Sequence, residues 1–193
     1  IVGSGIEGSL DKAYSVRDGI IYAGTLGVDA GGSIIGNTFR GINRALQSTV
    51  GSNLTFQGNR IDTAAVAGSG VDACFSIAAA GVTKAINVVG NVFSGCGGGT
   101  GIHYINIDAD NVIFADNTFS GSTTISGDII HLEGGSTVTR VNVSGNIVDQ
   151  MGVTGDGIEI ESGVSSFIAH GNIGFTVTDS SGAVTKYVEG NIL

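Results

Sequence analysis

A two-residue corner ending in Asn recurs seven times in this sequence, with Gly before the Asn at six corners and Asp at one. A short run of alternating apolar and polar residues precedes each corner. Successive Asn residues are 19 to 32 positions apart. A repeat of this size, built from short strands and without helical periodicity, is typical of a solenoid. The seven corners are Gly36-Asn37, Gly58-Asn59, Gly90-Asn91, Asp116-Asn117, Gly145-Asn146, Gly171-Asn172 and Gly190-Asn191.

The Asn at each corner has a physical explanation. A tight corner between strands needs a left-handed backbone, which Gly and Asn tolerate best. If the corners are equivalent, their amides stack along the axis of the coil, and each can donate to and accept from the turns above and below. Independent hairpin turns fit less well, because Gly precedes Asn and the flanking strands do not come in equal pairs. We therefore predict an internal Asn ladder made of Asn37, Asn59, Asn91, Asn117, Asn146, Asn172 and Asn191.

The composition limits the class of protein. Charged residues make up 13% of the chain, Gly occurs 34 times and Pro is absent. Helix formers are scarce, which favours an all-β protein. The net charge of −9 argues against a nucleic acid or an anionic membrane as partner. No stretch of about 20 apolar residues predicts a membrane span.

The run from Arg140 to Glu161 shows the repeat most clearly, as V-x-V-x-G-N-x-I followed by G-I-x-I. This pattern resembles the repeat of right-handed parallel β-helices of the pectate-lyase type, and it covers roughly Val16 to Leu193. The resemblance implies a single-stranded right-handed parallel β-helix of about seven turns over residues 17–193. Residues 1–16 would be a partial first turn or a cut linker.

The family's strand order places the GIxI run first in each turn, the run before Gly-Asn second, and the residues after Asn third. Aligned in this way, the first strands place His103, His131 and Glu159 at equivalent outward positions on three successive turns. The Gly-rich segments between third and first strands vary in length. The same alignment predicts an inward apolar column of Ile20, Ala45, Cys74, Ile102, Ile130 and Ile158.

The outward face of the first strands gathers acidic groups. Neighbouring turns lie about 4.8 Å apart, so carboxylates on successive turns crowd one patch and at least one pKa should rise. A protonated carboxyl beside an ionised one is the pair that glycoside hydrolysis uses. The alternative is that the outward Asp, Glu and His residues are ordinary solvent-exposed polar residues without a functional role. We predict catalytic residues Asp128, Asp156 and Glu159, with substrate-binding residues His103, His131, Glu133 and Glu161.

Other chemistries fit the sequence less well. A β-eliminating lyase needs basic groups near its substrate, and only eight Lys and Arg residues are present, none of them in the acidic patch. Asp128, His131 and Asp156 do not have the spacing of a known metal-ligand motif. We therefore expect a hydrolase rather than a lyase, and we predict neither a metal site nor a cofactor.

Three functions remain open, because this fold carries many activities. The chain most resembles a bacteriophage tailspike or tail-fibre domain in its irregular Gly/Ser/Thr connectors, low charge and lack of Pro. That resemblance implies a homotrimer in the virion tail that binds bacterial surface polysaccharide, either the O-antigen of lipopolysaccharide or a capsule, and cleaves it. The alternatives are a secreted or cell-surface enzyme of the pectate-lyase class, and a non-catalytic adhesin or structural solenoid.

Overall fold

The structure is a computed structural model that describes residues 14–17, 20–22, 25–27, 32–40, 44–48, 54–62, 73–79, 85–94, 103–120, 127–134, 138–149, 157–183 and 185–193. The segment 1–13 and most of the connectors that precede the first strands lie outside these residues. The predicted catalytic residue Asp156 also lies outside them.

The described residues form strands and contain no helix, so the all-β prediction is confirmed for them. No helix capable of crossing a membrane therefore occurs among these residues. The strands, in chain order, are β1 (Tyr14–Arg17), β2 (Ile20–Tyr22), β3 (Thr25–Gly27), β4 (Gly32–Ile35), β5 (Thr38–Arg40), β6 (Arg44–Ser48), β7 (Leu54–Gln57), β8 (Arg60–Asp62), β9 (Ala73–Ala79), β10 (Ile86–Val89), β11 (Val92–Ser94), β12 (His103–Ala109), β13 (Val112–Ala115), β14 (Thr118–Ser120), β15 (Ile130–Leu132), β16 (Val141–Ser144), β17 (Ile147–Asp149), β18 (Ile158–Ile160), β19 (Ser166–His170), β20 (Val177–Asp179) and β21 (Thr185–Glu189).

These strands form three sheets in which every pairing is parallel. Sheet A has the order β1-β4-β7-β10-β13-β16-β19-β21, sheet B has β2-β5-β8-β11-β14-β17, and sheet C has β3-β6-β9-β12-β15-β18-β20. From β3 to β18 the chain visits sheets C, A and B in turn, so each strand pairs with the strand three elements later. Isolated bridges from Ile147 to Ile173 and from Ile173 to Ile192 continue sheet B. This connectivity is consistent with a parallel β-solenoid.

The Gly-Asn corners join sheet A to sheet B. The residue before the Asn carries the left-handed backbone, with φ of 63° at Gly145 and 55° at Asp116. That conformation costs most non-glycine residues roughly 1–2 kcal/mol, but Asp and Asn adopt it more readily, so Asp116 can take the place of Gly at this corner. Arg140, just before β16, has a similar φ of 56°.

The predicted Asn ladder is present, and the same set of bonds repeats at each rung from Asn59 to Asn172, while the Asn37 amide nitrogen donates to Ile35 O of its own turn. The amide nitrogen of Asn117 donates to Asn146 Oδ1 on the next turn at 3.0 Å and to Val88 O on the preceding turn at 3.0 Å. The backbone N–H of Asn117 also donates to Asn146 Oδ1, at 3.0 Å. Each bonded Oδ1 thus accepts twice, and the six ladder residues from Asn37 to Asn172 are almost fully buried. The ladder therefore satisfies polar groups that water cannot reach.

The space between the sheets is filled by apolar side chains, with a stack of aromatic rings along it. Strands of sheet A alternate as the sequence predicts, so that Ile86 and Val88 on β10 are fully buried. The rings of Phe93 and Phe119, on successive turns of sheet B, stack at a centroid distance of 5.2 Å and an angle of 9°. Phe119 also meets Phe175 edge-on at 5.9 Å. Alternating strands and an aromatic column together make one continuous core.

The predicted register of the first strands is wrong in part. Ile130 pairs with Ile158 as expected, but its partner on β12 is Ile105 rather than Ile102. The predicted column is also wrong on the earlier turns. The residues in register with Ile105 are Phe75 rather than Cys74 and Leu46 rather than Ala45. Ile20 belongs to sheet B. The strands β9 and β12 are seven residues long, so a GIxI template does not fix their register. The register that is observed buries the larger side chains, such as Phe75 and Ile105.

Candidate functional site

A row of polar residues crosses sheet C between its two buried apolar rows. In register from strand to strand it consists of Ser76, Asn106, His131, Glu159 and Thr178. Because side chains alternate along a strand, these residues lie on the face opposite the core. Ser76, Asn106 and His131 are nonetheless at most 8% exposed.

His131 lies at the centre of a group of carboxylates. Its Nδ1 is 3.1 Å from Glu159 Oε2 and 3.3 Å from Asp128 Oδ2, and its Nε2 is 3.4 Å from Glu161 Oε1. Asp128 lies two residues before β15, and the two glutamates belong to the next turn. We call His103, Asp128, His131, Glu159 and Glu161 the His131 cluster.

His103 reaches the cluster by a route that differs from the sequence prediction. The position opposite His131 on β12 is Asn106, three residues after His103, so the two histidines are not equivalent. The His103 ring nevertheless stacks on the His131 ring, with a centroid distance of 4.2 Å. Its Nδ1 is 3.0 Å from Asp128 Oδ2 and accepts a hydrogen bond from the backbone N–H of Asp128 at 3.1 Å.

Of the remaining predicted binding residues, Glu161 belongs to the cluster and Glu133 lies beside it. Glu133 accepts a hydrogen bond from Asn106 Nδ2 at 2.9 Å, and Glu161 accepts one from the backbone N–H of Gly134 at 2.9 Å. The structure therefore brings together six of the seven predicted site residues. The seventh, Asp156, is outside the described residues, and the assignment of catalytic and binding roles stays a prediction.

The charges of the cluster perturb two of its pKa values. Burial lowers the pKa of His131, but the hydrogen bond with Asp128 and the negative charges of Glu161, Glu159 and Asp128 outweigh it, so this pKa is raised. A hydrogen bond with the Asp128 carboxylate, followed by burial and the charge of Asp128, raises the pKa of Glu159 more than His131 lowers it. The expected crowding of carboxylates is therefore present between Asp128 and Glu159.

Asn106 is a member of the polar row that the sequence analysis missed. It is 7% exposed, and its Oδ1 has no hydrogen-bond partner among the described residues. The sequence feature that identifies Asn106 is the run Ile105-Asn106-Ile107, in which a polar residue lies between two core residues. The GIxI alignment directed attention to His103 instead.

The cluster offers two kinds of chemistry. The Asp128 and Glu159 carboxyl groups can exchange a proton, as an acid and a base. The histidine nitrogens and carboxylate oxygens are also metal donors, and one donor atom each from His103, Asp128 and His131 lie within 4.8 Å of one another.

A different kind of surface lies on the outer face of sheet A. Thr55, Gln57, Asn87, Val89 and Ile113 line a shallow groove there. These side chains carry no charge, and Ile113 is 43% exposed. The groove offers amide and hydroxyl groups but no acid or base, so the His131 cluster is the stronger candidate for chemistry.

No protein-family model matches this chain, and neither a curated protein nor a solved structure does.

Proposed function

We propose that this chain forms a right-handed parallel β-helix of about seven turns in a tailspike-like receptor-binding protein of a bacteriophage. The repeated visits to sheets C, A and B support the coil. Its handedness follows from general experience, because crossovers between parallel strands of one sheet are almost always right-handed. The virion tail as location and the homotrimeric state belong to this proposal and rest on the sequence resemblance.

We further propose that the outer face of sheet C binds bacterial surface polysaccharide, as O-antigen or capsule. The observation that carries this is the convergence of Asp128, His131 and Glu159 within 3.3 Å on the face selected from the sequence. Carboxylates, imidazoles and the Asn106 amide are suitable partners for sugar hydroxyl groups. The protein has 17 acidic and 8 basic residues, which favours a neutral glycan over a strongly anionic one.

Hydrolysis of the bound glycan is the accompanying catalytic proposal. Asp128 and Glu159 both contact His131 Nδ1, so the two carboxyl groups lie next to each other. In this mechanism Glu159 protonates the leaving oxygen and Asp128 activates a water. Glycosidases hold their carboxyl pairs about 5–9.5 Å apart, so a sugar and a water would have to separate Asp128 from Glu159 on entering.

The experiment combines binding and turnover on a panel of purified O-antigens and capsular polysaccharides. Surface plasmon resonance measures binding, and release of reducing ends measures cleavage. Glu159→Gln should abolish release while the protein keeps its circular dichroism spectrum. Glu189→Gln, on the exposed strand β21, is the matched control and should retain full activity. Full cleavage by Glu159→Gln would remove this residue from the mechanism.

The same panel separates the alternatives. Binding and cleavage of plant or algal polysaccharide alone would indicate a secreted enzyme of the pectate-lyase class. No binding to any glycan would favour a structural solenoid. Light scattering tests the trimer independently, and a monomer at all accessible concentrations would contradict a tailspike assembly.

A further inference from the structure

When Asp128 is ionised, no position of the proton on the His103 ring satisfies both contacts of its Nδ1. This nitrogen accepts the backbone N–H of Asp128 at 3.1 Å, which requires an unprotonated nitrogen with a free lone pair. The same nitrogen faces Asp128 Oδ2 at 3.0 Å, which is attractive only if the nitrogen is protonated. Either tautomer therefore leaves two lone pairs, or two hydrogens, facing each other.

His131 also has fewer hydrogens than the carboxylates around it could accept. Its Nδ1 can carry one hydrogen, yet it faces a carboxylate oxygen from Glu159 and another from Asp128. A third carboxylate, from Glu161, lies 3.4 Å from Nε2. Three negative groups thus surround one ring that can hold a single positive charge. Next to it in the sheet, the buried Asn106 has an Oδ1 without a partner among the described residues.

We propose that His103, Asp128 and His131 bind a divalent transition-metal ion of the Zn²⁺ class, with Glu159 as the fourth ligand. One cation accepts lone pairs from all four groups at once and supplies the positive charge between them. The backbone N–H of Asp128 would have to release His103 Nδ1, whose single lone pair it occupies in the absence of the ion. The ligands come from three successive turns of sheet C, so the ion would link those turns.

Three of the distances between the donor atoms are close to those that such an ion needs. Zn²⁺ binds nitrogen and oxygen at about 2.0–2.2 Å, which places neighbouring ligand atoms of a tetrahedron about 3.3–3.6 Å apart. The measured separations are 3.0 Å from His103 Nδ1 to Asp128 Oδ2, 3.3 Å from Asp128 Oδ2 to His131 Nδ1 and 3.1 Å from His131 Nδ1 to Glu159 Oε2. These three separations need to grow by at most a few tenths of an ångström, and one donor atom each from His103, Asp128 and His131 already lie within 4.8 Å of one another.

The mixture of donors also selects the kind of ion. Two imidazoles with carboxylates suit Zn²⁺ and its transition-metal neighbours, whereas Ca²⁺ and Mg²⁺ prefer oxygen ligands alone. This proposal does not rest on the polysaccharide function, because the ion can be measured without any sugar. In the metal-bound form Asp128 would be a ligand, so hydrolysis by the carboxyl pair would belong to the metal-free form.

The test uses the whole protein, stripped with EDTA and then exchanged into metal-free buffer. Isothermal titration calorimetry with ZnCl₂ should show one site per chain, and CaCl₂ and MgCl₂ should give no comparable binding. Zinc should also raise Tm, because an ion that binds only the folded state stabilises it. Absence of zinc binding at micromolar concentrations would overturn the proposal.

Variants locate the site. His103→Gln and His131→Gln each remove a ligand and should weaken zinc binding by more than about 100-fold, since even outer-shell changes cost 10–100-fold. His170→Gln is the matched control, because His170 is the third and last histidine and lies exposed on sheet A. Equal weakening by His170→Gln, or unchanged binding in the other two variants, would contradict the assignment.

A measurement on the unaltered protein covers the case in which a variant fails to fold. X-ray absorption of the zinc-loaded protein should show two imidazole ligands in a nitrogen and oxygen shell at about 2.0–2.2 Å. A shell with one imidazole or none would overturn the proposal whatever the variants do. Saccharide binding can succeed or fail in the same preparation, so the two proposals are judged separately.

Discussion

Replacing one rung of the Asn ladder by Ala should cost a large part of the stability of the protein. Asn146 is fully buried; its amide nitrogen donates to Phe114 O at 3.1 Å and to Asn172 Oδ1 at 2.9 Å. Its Oδ1 accepts two bonds from Asn117, both at 3.0 Å. With a net contribution of about 0.5–1.5 kcal/mol per hydrogen bond, Asn146→Ala should lower the free energy of unfolding by about 2–6 kcal/mol. Total stabilities are about 5–15 kcal/mol.

Urea denaturation followed by circular dichroism measures this loss. A central value of about 4 kcal/mol corresponds to a decrease in Tm of about 8–16 °C for a chain of this size. Asn142→Ala is the matched control, because Asn142 lies four residues earlier on the outer face and its Oδ1 has no hydrogen-bond partner among the described residues. We expect no loss of stability in this variant, because removing a buried oxygen that has no partner breaks no hydrogen bond. Equal losses in the two variants would refute the argument that the ladder bonds stabilise the fold.

Three other changes test the backbone, the core and an ion pair, each by urea denaturation. Arg140→Gly should raise the free energy of unfolding by about 0.5–1 kcal/mol, because Gly adopts the φ of 56° without strain, although it also has more entropy to lose on folding. A lower free energy of unfolding would contradict the claim that Arg140 is strained. Phe119→Ala should cost about 3–5 kcal/mol, and Ile113→Ala, which is 43% exposed, less than about 1.5 kcal/mol; equal costs would argue against the aromatic core. Burial acts to raise the pKa of Asp179, but hydrogen bonds from Lys186 and a neighbouring serine lower it overall. Its stabilisation, at most about 1 kcal/mol, is therefore present above pH 3.8 and lost as the pH falls through the folded-state pKa. The difference between Asp179→Asn and the unaltered protein should shrink over that acid range, and a constant difference would contradict the assignment.

The sheets that flank the Gly-Asn corners could be predicted because their signals are local. The run before each corner alternates, as in Ile86-Asn87-Val88, and the corner itself marks where one strand ends and the next begins. The left-handed residue is the one before the Asn, and Asp116 shows that Gly is not required there. The Asn side chain is thus left to point along the axis and bond to the next turn.

The register of sheet C could not be predicted by the same reasoning. In the run from Ile102 to Ile107, apolar residues occur at 102, 104, 105 and 107, so two alternations fit the letters equally well. The choice between them depends on Phe75 and Ile130, which are 30 and 25 residues away in sequence from Ile105. Packing across turns settles what the local pattern leaves open.

The site was predictable as a face but not as a set of contacts. Carboxylates on successive turns had to lie near one another once the coil was assumed, and Asp128 and Glu159 do. The stacking of His103 on His131 follows from a register that the sequence did not specify. The metal proposal rests on the donor geometry of these contacts, which the spacing of the residues in the sequence did not indicate.

The ladder also has a consequence for how such a chain can change in length. From Asn59 to Asn172, each side-chain amide bonds only to the turn before it and the turn after it, so one complete turn of the solenoid can be excised without breaking the pattern. Removing residues 118–146 would connect Asn117 directly to Ile147, which already pairs with Thr118 in the neighbouring coil. Loss of a single residue from a strand would instead turn core side chains toward water. Length variation is therefore tolerated in units of one whole coil, and a shortened protein with Asn117 hydrogen-bonded to Asn172 should still fold.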